Sequence, residues 1–287
     1  MLTIVVYMRK GGVGKTTLSA LTAQYLAGLG YTGVIVDADR QGSQTTLFGL
    51  PDDTPELLAQ VLLRERRLPD ALLPIPDEMV PRFKKCKRGY LALVTGGAQS
   101  KMAMDEVVAR PDLYGLDSDA DLFRAPLHAL EQSGDVDFAV IDLGPSDQAV
   151  ALAALLAADF ILIPTDSEYL SLQGIGSVLA DVSVAQQYND LQVLGIVPTM
   201  TTYYFGRMRP SKTQAATWAF LNTHYPDLLL TDDDGPVDLP YDEDWRTSVW
   251  IGEMLFGPST GKRAKNEAMR FLNAVGAKLG LEDVKYE

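Results

Sequence analysis

The sequence is poor in the side chains that build disulfides and metal clusters. Its 287 residues include one cysteine, Cys86, and two histidines, His128 and His224. A single cysteine cannot form an intrachain disulfide, and three such side chains are too few for a Cys/His zinc site or an iron–sulfur cluster. The composition therefore argues against redox and cluster chemistry.

Long apolar runs are also missing. No stretch approaches the roughly 20 apolar residues that a membrane-spanning helix requires, and the short apolar start leads into a glycine-rich loop rather than a signal cleavage site. The terminal stretch FLNAVGAKLGLEDVKYE carries two glycines and three acidic residues, which predicts a poor membrane anchor. We expect a cytoplasmic protein that does not bind membranes.

Positive charge is scarce as well. The net charge is −13 at pH 7, so any nucleic-acid binding must come from a local basic patch. Acidic residues crowd into residues 227–244, which we interpret as a solvated loop, whereas residues 191–226 contain no Asp or Glu. A basic cluster is interpreted as solvated surface: Arg82, Lys84, Lys85, Lys87 and Arg88.

What the sequence does contain is a series of short apolar runs separated by helix-like stretches: LTIVVYM, GVIVDAD, YLALVTG, VDFAVIDLG, DFILIPTD and QVLGIVPT. Runs that are apolar on both alternating faces are typical of strands buried between two helix layers. We predict an α/β fold, a doubly wound and mostly parallel sheet flanked by helices. We expect one domain over residues 1–287, with excursions at about 64–88 and 227–244.

A phosphate-binding loop follows the first predicted strand, at KGGVGKTT, residues 10–17. Glycines let backbone N–H groups turn toward phosphate oxygens, and the next helix presents its positive N-terminus. Lys15 supplies charge to the phosphates, Thr16 a Mg²⁺ ligand, and Thr17 a further phosphate contact. The predicted nucleotide contacts in this loop are Lys10, Gly11, Gly12, Val13, Gly14, Lys15, Thr16 and Thr17.

Aspartates follow two other predicted strands. Asp37 and Asp39 end the second strand, and Asp142 ends the fourth. A carboxylate after a buried strand holds Mg²⁺ through water in P-loop enzymes, so we expect Asp142 to be a metal ligand and catalytic residue. An aspartate in this position can instead cap the following helix, and this alternative stays open for Asp39.

The form KGGVGKT, preceded by Arg9 where the general pattern has glycine, resembles the deviant Walker A motif of the ParA/MinD family of P-loop ATPases. In that family the early lysine reaches across a dimer to the partner's phosphates, and the resemblance assigns this role to Lys10. DADRQG resembles the family's DxDPQG switch I segment, with Arg40 replacing proline. The resemblance assigns activation of the attacking water to Asp39 and support of the metal to Asp37.

Later segments extend the resemblance. DLGPS resembles switch II through Pro145 and Ser146 but departs at Gly144, and AADFILIPTDSEYLSLQGI matches a further stretch of the family pattern. Pro198 and Met200 lie where the family cradles adenine, although packing explains them equally well. GPSTGK at residues 257–262 resembles a C-terminal family loop. The match is dense over 1–50 and 137–206 and thin over 51–136.

The resemblance to small ParA-type ATPases implies ATP and Mg²⁺ as cofactors, an ATP-dependent homodimer, and slow hydrolysis that a ParB-like, cargo-bound activator and DNA stimulate. It implies plasmid or chromosome partition on nonspecific DNA and a nucleoid-associated location. We predict DNA contacts from basic residues: Arg207, Arg209, Lys212, Arg246, Lys262 and Arg263. Because the phosphate loop begins at residue 10, we expect no N-terminal helix-turn-helix domain.

Three other functions stay open. The switch could position a protein cargo on the nucleoid instead of a plasmid. The phosphate loop could belong to a metabolic enzyme such as a carboxylate–amine ligase, which would need a small substrate and would not need Lys10. A nucleotide-binding adaptor without hydrolysis is the third, and it would dimerise with nucleotide but show no turnover.

Overall fold

The structure is a computed structural model, and it describes residues 1–51, 53–145, 148–204, 209–243 and 260–286. The strands are β1 Leu2–Val6, β2 Gly33–Ala38, β3 Leu73–Pro74, β4 Leu91–Val94, β5 Phe138–Leu143, β6 Phe160–Thr165, β7 Gln192–Thr201, β8 Tyr203–Tyr204, β9 Arg209–Pro210, β10 Thr231–Asp232, β11 Gly235–Pro236 and β12 Leu239–Pro240. The helices are α1 Lys15–Gly28, α2 Ser43–Leu47, α3 Leu57–Leu62, α4 Ala98–Ala109, α5 Asp121–Glu131, α6 Gln148–Leu156, α7 Tyr169–Ala185, α8 Lys212–His224 and α9 Lys262–Lys278.

The six predicted strands form the centre of one eight-stranded sheet. Its order is β12-β7-β6-β1-β5-β2-β4-β3, and every neighbouring pair is parallel except β3 with β4. Parallel strands need crossover helices, which cover both faces of the sheet. The prediction of a mostly parallel, doubly wound α/β fold is confirmed.

The two faces of the sheet bury separate apolar clusters. On β1, Val5 points into a cluster built with α3 to α8, while Ile4 and Val6 point into a cluster built with α1 and α9. Side chains alternate across a strand, so a strand covered on both faces must be apolar throughout. This explains why these strands read as continuous hydrophobic runs.

Both predicted excursions also contribute strands to the edges of the sheet. Residues 64–88 include β3, which pairs with β4, and residues 227–244 include β12, which pairs with β7. The interpretation of residues 227–244 as a solvated loop is wrong at Asp238, which is buried. The Tyr203 hydroxyl donates to its carboxylate at 2.8 Å and the Thr201 hydroxyl donates as well, so the buried charge is satisfied.

Strand order places the candidate chemistry at one edge. The carboxyl ends of β1, β5 and β2 lie side by side, and Asp37 is the register partner of Asp142. Ligands of such sheets bind outside the carboxyl ends of the strands. Among the helices described, none combines the length and the apolar character that crossing a bilayer requires.

Candidate functional site

The loop between β1 and α1 has the conformation of a phosphate cradle. Gly12 and Gly14 have φ values of 76° and 85°, which side chains disfavour, and α1 begins at Lys15 without a side-chain cap. The first N–H groups of the helix therefore lack a capping side chain and can donate to a bound anion. The Thr199 hydroxyl lies 2.8 Å from the Val13 carbonyl oxygen and ties the loop to β7.

Lys15 lies inside the cradle. Its side chain is buried, and its ammonium donates to the backbone carbonyl of Lys10 at 2.9 Å. Burial lowers the pKa of Lys15, while Asp39 and Asp142 act in the opposite direction. The buried ammonium is thus held against the backbone of the loop, and its binding of phosphate stays a prediction.

A cavity of about 590 Å³ opens beside the loop and gathers most of the predicted site. Met200 contributes to it from the end of β7. Four predicted nucleotide contacts, Lys10, Val13, Thr17 and Pro198, are not among its lining residues in the part of the chain described, and neither are Asp37 and Asp142. Val13 is buried beneath the loop. The lining residues are Gly11, Gly12, Gly14, Lys15, Thr16, Asp39, Arg40, Gln41, Ser43, Pro145 and Met200.

Asp142 lies near the carboxyl end of β5 and is completely buried. The Ser19 hydroxyl donates to its Oδ1 at 3.2 Å, and the Gln44 amide donates to its Oδ2 at 2.8 Å. Burial raises the pKa of Asp142 to about 6, although the hydrogen bonds from Gln44 and Thr16 act to lower it. A nearby cation stabilises the ionised form of a carboxylate that is buried in this way.

Asp37 is also fully buried, at the end of β2. Its Oδ1 accepts the N–H of Asp39 and its Oδ2 accepts the N–H of Gln44, each at 3.1 Å. Burial and the charge of Asp142 raise the pKa of Asp37 well above its ordinary value. These bonds give Asp37 a structural task in the turn after β2, and its support of a metal remains a prediction.

Asp39 faces the cavity and is fixed by its own turn, because its Oδ1 accepts the N–H of Gln41 at 2.8 Å. Gly144 packs directly against it. A Cβ added to Gly144 would lie 2.8 Å from Cγ of Asp39, which is closer than such atoms approach. The departure from the family pattern at Gly144 therefore has a physical reason, since a side chain there would displace Asp39.

Gln44 and Thr199 are site residues that sequence reasoning missed. Gln44 lies on the short helix α2, is fully buried, and joins the turn after β2 to Asp142 on β5. Nothing in its local sequence marks this contact, because the partner is 98 positions away. Thr199 stands between the two β7 residues that we did consider, Pro198 and Met200, and only its contact with the loop reveals its role.

These residues fit a magnesium-bound nucleoside triphosphate. Mg²⁺ commonly takes one or two carboxylates and completes its shell with phosphate oxygens and water. Within the described residues no group of three or more His, Cys, Asp or Glu side chains could hold a metal ion by itself; water or phosphate oxygens would complete the shell of a bound Mg²⁺. Thr16 and Asp142 would hold the metal, and the glycine cradle with Lys15 would hold the phosphates.

Arg9 and Lys10, at the start of the phosphate loop, form ion pairs with carboxylates that do not line the cavity. The Lys10 ammonium lies 2.9 Å from Oδ2 of Asp166 and 2.6 Å from Oε2 of Glu168. Burial acts to lower the pKa of Lys10, but the bonds to these two carboxylates raise it overall. Arg9, at the position where the general pattern has glycine, donates through Nη2 to both carboxylate oxygens of the buried Asp181 on α7.

The predicted DNA contacts are only partly described. Lys212, Lys262 and Arg263 are exposed, and Arg263 pairs with Asp242 at 3.4 Å. Arg209 begins β9, where the backbone alone is described. Two predicted DNA contacts, Arg207 and Arg246, lie outside the described residues, as does the switch II residue Ser146.

Comparison with known proteins agrees with this geometry. Residues 1–193 match the AAA_31 family, an AAA domain. The chain is 29% identical over 200 residues to the sporulation initiation inhibitor protein Soj of Bacillus subtilis, covering 69% of this chain and 72% of Soj. It is 32% identical over 204 residues to the chromosome-partitioning ATPase Soj of Thermus thermophilus, covering 69% and 68%.

For two other relatives the alignment covers less than two thirds of the relative's own length: 62% of the chromosome partitioning protein ParA of Myxococcus xanthus and 50% of the protein IncC of Escherichia coli. Among solved structures, the complex of Cyanothece McdA(D38A) with ATP has a TM-score of 0.76 at 20% identity, covering 98% of this chain and 97% of McdA. That likeness concerns the fold. The family match, the Soj relatives and the phosphate site together show that the chain belongs to the ParA/MinD family of deviant Walker A P-loop ATPases.

Proposed function

We propose that this ATPase is a partition switch. It dimerises around bound ATP, binds nonspecific DNA as the ATP dimer, and is released when a ParB-like activator on a plasmid or chromosome stimulates hydrolysis. Two observations support the partition assignment: chromosome-partitioning relatives in different bacteria, and the position of Lys10.

The position of Lys10 carries the dimer part of the proposal. Its ammonium lies with Asp166 and Glu168 and not among the residues that line its own phosphate cavity, which Lys15 already serves. Partly exposed ion pairs of this kind stabilise by about 1 kcal/mol or less each. A partner's triphosphate carries enough charge to draw Lys10 away from them, which supports a role in completing the site of a second subunit.

The other residues take their roles from position. Lys15 and the N–H groups of the loop bind the phosphates, while Thr16 and Asp142 hold Mg²⁺, with Asp37 stabilising the turn that carries Asp39. Asp39 faces the cavity and orients the attacking water. Bound Mg²⁺ neutralises charge that develops on the transferred phosphoryl group. Lys10 of a second copy adds further positive charge at the same place.

The test is binding of nonspecific duplex DNA with ATP, ADP or no nucleotide, at stated salt concentrations, together with the mass of the protein in solution. Wild type is expected to dimerise and bind DNA only with ATP. Lys10→Ala should bind ATP but neither dimerise nor bind DNA, and Asp39→Ala should prolong the DNA-bound state because hydrolysis is blocked. Lys278→Ala, which removes an exposed lysine at the end of α9, is the matched control and should behave as wild type.

Two results would redirect the proposal. If wild type dimerises with ATP but does not bind DNA in any nucleotide state, the partition function is wrong. The ATP dimer would then bind a protein surface in place of DNA. If hydrolysis requires a small carboxylate substrate and Lys10→Ala turns over normally, the ligase alternative replaces the switch. Rapid turnover by the isolated protein would also contradict a switch, because its ATP state must persist.

A further inference from the structure

Two basic segments that are far apart in the sequence meet on one surface. The Lys84 N–H donates to the Lys285 carbonyl at 2.9 Å, and Phe83 forms an antiparallel bridge with Tyr286. Asn273 on α9 holds the same terminal segment, exchanging hydrogen bonds with the backbone of Val284 at 3.1 and 3.2 Å. The fold thus fastens residues 284–286 between the 82–88 segment and α9.

A cavity of about 590 Å³ lies between these segments, and four of its lining residues are lysines. We call it the lysine cleft, after Lys84, Lys262, Lys265 and Lys285. Its lining, within the described residues, contains no Asp or Glu. Lys265 is oriented by an aromatic ring, with its ammonium 5.1 Å from the ring centroid of Tyr286.

The four ammonium groups differ from the arginines nearby. On α9, Arg270 pairs with Asp232 at 2.6 Å and Arg263 pairs with Asp242. Across the described part of the chain, no ion pair joins a lysine of the cleft to a carboxylate. Helix α9 begins at Lys262 without a side-chain cap, which adds the positive end of its dipole to the same place.

The charge gathered here is large for an acidic protein. Residues 82–88 carry five basic and no acidic residues, a charge of +5. Residues 260–286 carry six basic and three acidic residues, a charge of +3. Together they hold +8, and Asp242 and Asp232, which pair with Arg263 and Arg270, reduce this to +6 in a chain whose total is −13. The fold thus concentrates a positive surface that the composition conceals.

We propose that the lysine cleft binds the phosphodiester backbone of duplex DNA. Lysines act as mobile point charges that suit phosphate oxygens without requiring one fixed geometry, as sequence-independent binding demands. Duplex DNA carries one charge per about 1.7 Å of axis, which lets a local patch bind despite the acidic total. The inference rests on the proposed function and assigns its DNA contact to residues outside the nucleotide site.

The test uses the full-length protein with ATP and Mg²⁺ and measures DNA affinity across salt concentrations. The cleft variant is Lys84→Ala with Lys285→Ala, and both side chains are exposed while the hydrogen bond between the segments uses only backbone. The matched control, Arg66→Ala with Lys278→Ala, removes equal charge from exposed positions outside the cleft. ATP-dependent dimerisation should be unchanged in both.

Each lost phosphate contact should reduce the slope of log affinity against log salt by about 0.9, and weaken binding about eightfold at 0.1 M salt. The cleft variant should therefore bind roughly 60-fold more weakly for each engaged subunit, while the control changes less than about threefold. Lys262→Gln, a single change at the mouth of the cleft, should show about half the change in slope and serves if the double variant is unstable.

Each other outcome contradicts the assignment in its own way. If wild type binds DNA and the cleft variants bind equally well, the cleft is not the DNA contact and the partition function stands. If wild type binds no DNA in any nucleotide state, both proposals are wrong. If the cleft variants lose binding of inorganic tripolyphosphate but keep that of DNA, the ligand is a small anion instead.

Discussion

Replacing Asp142 by asparagine should stabilise the metal-free protein while impairing its metal site. Burial raises the pKa of Asp142 from 3.8 to about 6 in the folded protein. Because the pKa of Asp142 is higher in the folded than in the unfolded state, the folded state binds the proton more tightly. Protonation of Asp142 therefore contributes its full stabilisation below about pH 4, and this contribution is lost as the pH rises through about 6. At pH 7.5 the ionised carboxylate therefore costs about 3 kcal/mol, at 1.36 kcal/mol per pKa unit.

The local hydrogen bonds permit this substitution. Among the described residues, the buried Oε1 atom of Gln44 has no hydrogen-bond partner, while its Nε2 donates to Asp142. In Asp142→Asn the new amide can donate to Oε1 once the Gln44 amide turns over, and the new carbonyl can keep the donation from Ser19. The turned Gln44 amide gives up the bond from its Nε2 to the Thr16 carbonyl oxygen, which spans 3.2 Å, at a cost of about 1 kcal/mol. Part of the gain is therefore lost, and the melting temperature should rise by roughly 3 °C.

The assay is thermal unfolding in EDTA at pH 7.5 and at pH 5, repeated with Mg²⁺ and a non-hydrolysed ATP analogue. The rise in melting temperature of Asp142→Asn over wild type should be smaller at pH 5, where Asp142 of the wild type is already mostly protonated. With Mg²⁺ and nucleotide the order should reverse, because the bound ligand stabilises wild type more than the variant. Asp135→Asn, at an exposed site, should change nothing. If Asp142→Asn lowers the melting temperature in EDTA, or raises it equally at both pH values, burial does not destabilise the carboxylate and the reasoning fails.

Three further predictions follow from contacts around the site. Gln44→Leu keeps similar volume but removes the bond that orients the metal carboxylate, so the half-saturating Mg²⁺ concentration in nucleotide titrations should rise about tenfold or more; no rise would contradict the positioning role. Arg9→Ala leaves the buried Asp181 without its main cation and should destabilise by about 2 kcal/mol in urea unfolding, less than for a fully buried pair because Arg9 is 42% exposed; pairing it with Asp181→Leu should restore most of the loss. Gly144→Ala should displace Asp39, slowing stimulated hydrolysis at least tenfold with ATP affinity nearly unchanged, and equal losses of both would point to a collapsed site.

Features carried by contiguous residues were predictable. The phosphate loop depends on glycines that adopt positive φ and on a helix that begins at Lys15, and both are properties of one short segment. The six core strands were predictable because a strand covered on both faces must be apolar throughout. Short edge strands such as β3 and β12 were not predictable, because two residues carry no periodic pattern and pair only where a neighbouring strand offers free backbone groups.

The sequence by itself therefore determined the fold class, the phosphate loop and the aspartates at the strand ends, since each depends on local conformation and on the order of elements along the chain. Only the tertiary structure decided which distant residues meet. It joined Gln44 to Asp142, set Lys10 against Asp166, and gathered lysines from both halves of the chain into one cleft. Such contacts depend on strand order and helix packing, which bring together segments that no local pattern relates.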